Sequence, residues 1–134
     1  MNYLKIVVFN FIFFVLLSLF TSQVLRADNL SCLAEAVYFE ARSEPFIAQL
    51  AVANVVLTRV ESPRYPDNIC DVVHQSKKWK GKPIRNKCQF SYWCDGKPET
   101  IANVDAYQES VSAAELALQG AILSQTGGAT HYHA

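Results

Sequence analysis

The chain carries no excess of either charge: Lys and Arg number 12, as do Asp and Glu, across 134 residues. That balance gives no case for a nucleic-acid partner, which a basic domain would signal. No internal repeat or low-complexity segment marks a solenoid or a disordered tail. There is no His-Glu-x-x-His or comparable metal signature, so neither a metal nor any other cofactor is expected. No acid at all precedes Asp28.

What that acid-free stretch has instead is one basic side chain within Met1–Lys5 and a nearly unbroken apolar run from Ile6 to Phe20. These are the n-region and h-region of a secretory signal. The run is shorter than the ~20 apolar residues a spanning helix prefers, which favours a signal over a permanent anchor. Ala27 is the candidate cleavage point. Leu25 fits the small-x-small rule poorly, so a slowly cleaved anchor stays open. Asn29-Leu30-Ser31-Cys32 lacks the order of a lipoprotein signal. Residues 1–27 are therefore expected to direct export to the periplasm, cell envelope or exterior and to make the chain's only membrane contact. Residues 28–134 suit one compact domain.

All four cysteines, Cys32, Cys70, Cys88 and Cys94, lie in the exported part. An even count in a secreted chain points to disulfides, with three possible connectivities. Cys88–Cys94 would close a short local loop, leaving Cys32–Cys70, and this pairing is preferred. The five residues between Cys88 and Cys94 exceed the usual zinc spacing, which counts against a zinc site.

Ser31 is a candidate N-cap for a helix ending near Ser43, before Pro45. Leu33, Ala36, Val37, Glu40 and Ala41 fall on one helical face, with Glu35, Phe39 and Arg42 pointing elsewhere. A second helix, from about Pro45 to Val60, is apolar almost all round and reads as the buried centre. Asn54 within it needs hydrogen-bond partners, either a neighbouring carboxylate or a loop. Ile69 to Gln75 reads as a short helix and Asp105 to Leu123 as a longer one. Thr126-Gly127-Gly128 reads as a turn, and Ala129 to Ala134 as a strand. Between them, Lys77, Lys78, Lys80, Lys82, Arg85 and Lys87 crowd into an expected exposed loop. That loop is either a solvated surface or a contact for anionic wall polymer.

Glu40 is the main candidate for chemistry. On an apolar face, near a helix C-terminus and four residues from Glu44, its neutral form is favoured. A carboxyl held neutral suits protonation of a glycosidic oxygen. The plain alternative is a helix end that delivers Glu40 to solvent. Glu44 is a possible partner or an ordinary residue before a helix-opening proline. His131 and His133 would share one face of a strand, and with His74 or a carboxylate they could hold a metal. Tyr132 between them favours a surface touching sugar. Phe90, Tyr92, Trp93 and Tyr132 could line a groove for amino sugars, though at least one of Phe90 and Trp93 belongs in the core.

Six blocks carry a family resemblance: AEAVYFEARSEP from Ala34, QLAVA from Gln49, SPRYP from Ser62, CQFS from Cys88, CDG from Cys94 and TGGATHYHA from Thr126. In this order they resemble the SleB/CwlJ-type cell-wall hydrolases, the group that includes spore-cortex-lytic enzymes. The likeness covers nearly all of residues 32–134. It implies a small, mostly helical α+β domain of lysozyme-like form, with a short β element and disulfide bracing. It implies cleavage of peptidoglycan between N-acetylmuramic acid and N-acetylglucosamine by lytic transglycosylase chemistry, with Glu40 as the one essential carboxyl. Glu44, Phe90, Tyr92, His131, Tyr132 and His133 are the expected substrate contacts. A hydrolytic muramidase and a non-catalytic peptidoglycan-binding module are the alternatives. Ser43 stands where the family usually has Gly, and Thr58 where it has Asn. Related domains continue past the HYHA segment with a Pro- and Trp-containing stretch, so a shortened groove wall is expected.

Overall fold

The computed structural model describes residues 2–123 and 129–130. In chain order these form α1 (Asn2–Ala41), α2 (Phe46–Glu61), α3 (Ile69–Val73), β1 (Ser76–Trp79), β2 (Lys82–Cys88), a 3₁₀ turn (Ser91–Cys94) and α4 (Val104–Leu118). The result is a mostly helical α+β domain with one two-stranded sheet and two disulfides.

Helix α1 is longer than its sequence pattern suggests. No Gly or Pro interrupts residues 2–41, and the helix runs straight through Ser31, which therefore caps nothing. With residues 28–30 already helical, the N–H groups at Ser31 and beyond bond to carbonyls one turn back and need no side-chain cap. The N-terminal half stands clear of the domain, with Phe9 72% and Phe20 69% exposed. It is long and apolar enough to cross a membrane and fits a signal sequence. Pro45 ends the helix by restricting the residue before it. The chain turns there through Glu44 N–H donating to Ala41 O at 2.9 Å.

The C-terminal part of α1 packs against α2, α3 and α4, and α2 packs against α4. Leu33, Ala36, Val37 and Ala41 are buried as their spacing predicts. Complete burial of a side chain such as Leu33 contributes about 1.5–3 kcal/mol relative to exposure. Ala34 and Tyr38 are also fully buried, so the covered arc of α1 is wider than one stripe. Ala113, Ala114 and Ala117 form the facing surface of α4, and their small side chains let the helices approach closely. Helix α2 is not wrapped on every side, because Ile47 is 54% exposed.

Buried polar side chains tie these helices to the loops. Asn54 donates to Ala121 O at 3.0 Å and accepts from Leu123 N–H at 2.9 Å, so it serves a loop and not a carboxylate. Gln49 donates to Glu44 O at 3.2 Å and accepts from Ser110 Oγ at 3.1 Å. Ser110 Oγ is also 3.0 Å from Ala106 O, and its single proton serves one acceptor at a time. Arg59 is buried in α2, its guanidinium 5.4 Å from the Phe90 ring centre, with Nε donating to Thr130 O at 2.8 Å.

The lysine-rich segment is a β-hairpin, not a loop. β1 and β2 pair antiparallel with Trp79 opposite Lys82. Lys80 and Gly81, at φ 48° and 79°, make the tight turn whose two central residues are both left-handed. The register slips between Ser76 and Lys78, and Asn86 takes φ 58° on the facing strand, a conformation Asn tolerates better than most residues. No alternation reveals these strands, because Lys77–Lys87 is exposed throughout. The expected turn at Thr126–Gly128 and the C-terminal part of the expected strand, residues 131–134, lie outside the described residues.

Both disulfides join the expected partners: Cys32–Cys70 ties α1 to α3, and Cys88–Cys94 ties β2 to the 3₁₀ turn. Their sequence separations are 38 and 6 residues, and longer closed loops restrict the unfolded chain more. Replacing Cys32 and Cys70 together by Ser is expected to cost roughly 3–4 kcal/mol, and replacing Cys88 and Cys94 about 2 kcal/mol. Denaturant unfolding of the two double variants measures the order, and a larger loss for the second pair would contradict it.

Candidate active site

The last turns of α1 meet the 3₁₀ turn through one aromatic stack. The Tyr92 ring lies on Phe39 at 4.5 Å between centroids and 16° between planes. Phe39 also meets Tyr38 edge-on at 5.1 Å, and Tyr38 meets Tyr107 of α4 at 5.7 Å. Tyr38 is fully buried, and its hydroxyl oxygen accepts from Asn103 N–H at 3.1 Å. Asn103 in turn caps α4, its side chain accepting from Ala106 N–H at 3.0 Å. The end of α1 is thus set by aromatic contacts on one side and by the start of α4 on the other.

Three carboxyl groups act on the Tyr92 hydroxyl. Burial first, then the charges of Glu35, Glu40 and Glu99, push its phenol far above the ordinary tyrosine range, so it stays a proton donor at any physiological pH. The hydroxyl is buried and meets strict hydrogen-bond geometry with no described group. Its polar contact with Glu35 nevertheless favours the carboxylate of that residue. Glu35 is half-buried, and its carboxyl is held above the usual range, first by burial and then by Glu99, against the opposing pull of Tyr92. Glu40 is likewise half-buried, on the final turn of α1.

Glu99 also acts on His74, which joins this cluster to a second feature. His74 stacks on Trp93 at 3.7 Å and 25°. Burial holds its imidazole below the usual range, while Asp71 and Glu99 oppose that shift. His74, Trp93, Gln75, Ser76 and Lys78 help line a cleft of about 380 Å³ between α3, the hairpin and the 3₁₀ turn.

The expected site residues divide on this geometry. Glu40 and Tyr92 come together. Glu44 lies exposed in the turn between α1 and α2 and is not among the groups acting on Tyr92. Phe90 is only 1% exposed and packs under Arg59, so it belongs to the core and offers no open face to a sugar ring. Tyr92 is also buried, its ring against Phe39, and presents its hydroxyl end to the carboxyls instead of a flat face. His131, Tyr132 and His133 lie outside the described residues; Arg59 holds Thr130, just before them. All four cysteines are in disulfides. Among the described residues, no three His, Cys, Asp or Glu side chains gather as metal ligands.

Glu35 and Glu99 are the residues that sequence reading missed. Glu35 and Phe39 are spaced one helical turn apart, a signal for a second packing stripe beside the first. What covers that stripe comes from residue 92, which no local pattern reveals. Glu99 sits in an irregular segment with no periodicity to mark it.

The family profile described as Cell Wall Hydrolase matches residues 43–134, beginning just beyond the helix that carries Glu40. Curated relatives include spore cortex-lytic enzymes from Halalkalibacterium halodurans, 46% identical over 48 residues, and Bacillus subtilis, 42% identical over 48 residues. A third, from Bacillus cereus, is 38% identical over 50 residues. These alignments take in 36% to 37% of this chain and 14% to 19% of the relatives' own lengths. No solved structure matches the chain, so the lysozyme-like form rests on the sequence resemblance.

A raised carboxyl has a consequence for stability. Glu35 binds its proton more tightly in the folded chain than in the unfolded one, with Glu99 and Tyr92 as its charged or polar neighbours. The stability that proton contributes is fully present below the ordinary glutamate range and is lost as pH rises through the raised value. Glu35→Gln removes the titration. Wild-type stability is therefore expected to fall relative to Glu35→Gln as pH rises from acid to neutral, in thermal melts across that range. Parallel curves for the two proteins would refute the assignment.

Proposed function

The chain belongs to the SleB/CwlJ-type cell wall hydrolase family, and from that premise we propose that it cleaves peptidoglycan glycan strands with Glu40 as proton donor. The carrying observation is the position of Glu40. It is a half-buried carboxyl on the last turn of α1, beside a buried hydroxyl whose phenol keeps its proton.

In the transglycosylase reading, the neutral Glu40 protonates the oxygen linking N-acetylmuramic acid to N-acetylglucosamine, and the bond to the muramyl anomeric carbon breaks. The resulting Glu40 carboxylate takes the proton of the muramyl hydroxymethyl group as that oxygen attacks the anomeric carbon, closing the anhydro ring. The proton count balances on one carboxyl, and no second carboxylate must activate water. The Tyr92 hydroxyl, which keeps its proton, lies within electrostatic reach of that carboxylate. Residues 1–27 would direct export, and residues 28–134 would act at the cell envelope.

A second reading gives the proton to Glu35. It is supported by the burial that raises that carboxyl and by its contact with Tyr92. Comparing muropeptides released from purified sacculi separates the two. Glu40→Gln is expected to slow release by about 100-fold or more, the scale of a lost general acid, and Glu35→Gln by much less. The reverse order moves the role to Glu35. Anhydromuramyl ends in the products support transglycosylation, whereas reducing muramyl ends would make the enzyme a hydrolytic muramidase.

A further inference from the structure

The hairpin β1–β2 is a strongly basic surface in a chain whose other residues are net acidic. No acid occurs between Asp71 and Asp95, a stretch that holds six Lys and Arg residues flanking the turn. At the turn, Trp79 is 71% exposed and Ile84 38% exposed. Together with Pro83 and the stems of Lys80 and Lys82 they shape a shallow apolar cleft of about 520 Å³. An indole left this open is unusual for a folded domain, and no described residue covers it.

The hairpin is also fixed in relation to the candidate site. An isolated two-stranded ribbon is marginal in water, and here its base is clamped twice. The Cys88–Cys94 disulfide ties it to the turn that carries Tyr92, and Arg85 Nε donates to Asp95 O at 3.0 Å. Gly96 stands against the Arg85 side chain, where a Cβ would come within 3.1 Å of the guanidinium. Something held along the hairpin would thus be presented next to the Tyr92 turn.

We propose that the exposed hairpin, through Lys78, Trp79, Lys80 and Lys82, docks the carboxylate-bearing glycan strand of peptidoglycan alongside the cleavage site. The chemistry of the two surfaces matches. Stem peptides hang carboxylates from the strand at regular intervals, and the lysines attract them over about a Debye length. Amino-sugar rings have apolar faces that an open indole covers. The ribbon from Lys82 to Cys88 extends about 20 Å, enough for several sugar rings. This docking role rests on the cell-wall reading of the site but not on which carboxyl does the chemistry.

The test uses the full-length Glu40→Gln protein, so that sacculi are bound without being digested, and compares it with added hairpin substitutions. At low salt, Lys78→Gln/Lys80→Gln/Lys82→Gln is expected to raise the half-saturating amount of sacculi about tenfold, the low end of what long-range attraction supplies. Trp79→Ala is expected to raise it about twofold to tenfold. At about 0.5 M salt the lysine effect should vanish while the Trp79 effect remains. All four side chains are exposed, so melting temperatures should not move. Binding that is unchanged in both variants, or insensitive to salt, overturns the proposal. So does tighter binding to anionic phospholipid vesicles than to sacculi. Muropeptide release by the wild-type chain is read separately. Hairpin-dependent binding without release would sink the cleavage reading alone, and release with hairpin-independent binding would sink the docking role alone.

Discussion

The stack of Tyr92 on Phe39 joins two segments that lie far apart in the chain, and the chemistry of the site depends on it. The ring contact, 4.5 Å between centroids, closes the end of α1 against the 3₁₀ turn and withdraws Glu35 and the Tyr92 hydroxyl from water. Without that cover, Glu35 would be a solvated carboxylate repelled only weakly by Glu99 across water. With it, desolvation becomes the largest influence on both Glu35 and Tyr92. The stack in turn needs its own supports: the Cys88–Cys94 bridge holds the 3₁₀ turn, and Tyr38, bonded to the start of α4, fixes the neighbouring residue on α1.

Much of this arrangement was legible in the residues, and the limits fall where local pattern stops carrying information. The stripe Leu33, Ala36, Val37 and Ala41 is buried because a helix covering one face must place those positions inward. Pro45 could be read as the break between two helices because it restricts its predecessor whatever the tertiary context. The disulfide pairing followed from loop length. Other features were not local. Ser31 has the chemistry of a cap, yet a cap exists only where the helix begins, and the residues before it are helical too. Glu35 falls outside the single stripe that the periodicity of α1 marks. The strands of the hairpin bury no side and so leave no alternation.

Phe90 shows how a residue can fit a sequence motif and still be misread in role. It lies within the CQFS block of the family resemblance and is aromatic, so a sugar contact was a fair expectation. Its 1% exposure and the Arg59 guanidinium above it give it a different task. Arg59 is buried in α2, and burying a guanidinium is costly unless its charge is offset and its N–H groups find acceptors. The π-faces of Phe90 and Tyr65 and the Thr130 carbonyl supply part of that compensation. Through these contacts α2 holds the chain at Thr130, and Phe90 supports that frame from the core.

Net charge conceals the feature that most distinguishes the surface. Glu35 and Glu40 lie half-buried at the end of α1, where Glu99 raises the cost of ionising Glu35, while the bases of the hairpin lie open, where water and salt screen them. Charges sort this way for a physical reason. A carboxyl can enter a half-buried site by taking up a proton near neutral pH, whereas an ammonium would have to give one up far from its usual range. The hairpin lysines therefore stay outside, open to solvent, while Glu35 keeps a raised carboxyl under partial cover. A chain with equal numbers of both can thus carry half-buried carboxyls and an exposed basic hairpin side by side, joined by the Cys88–Cys94 bridge.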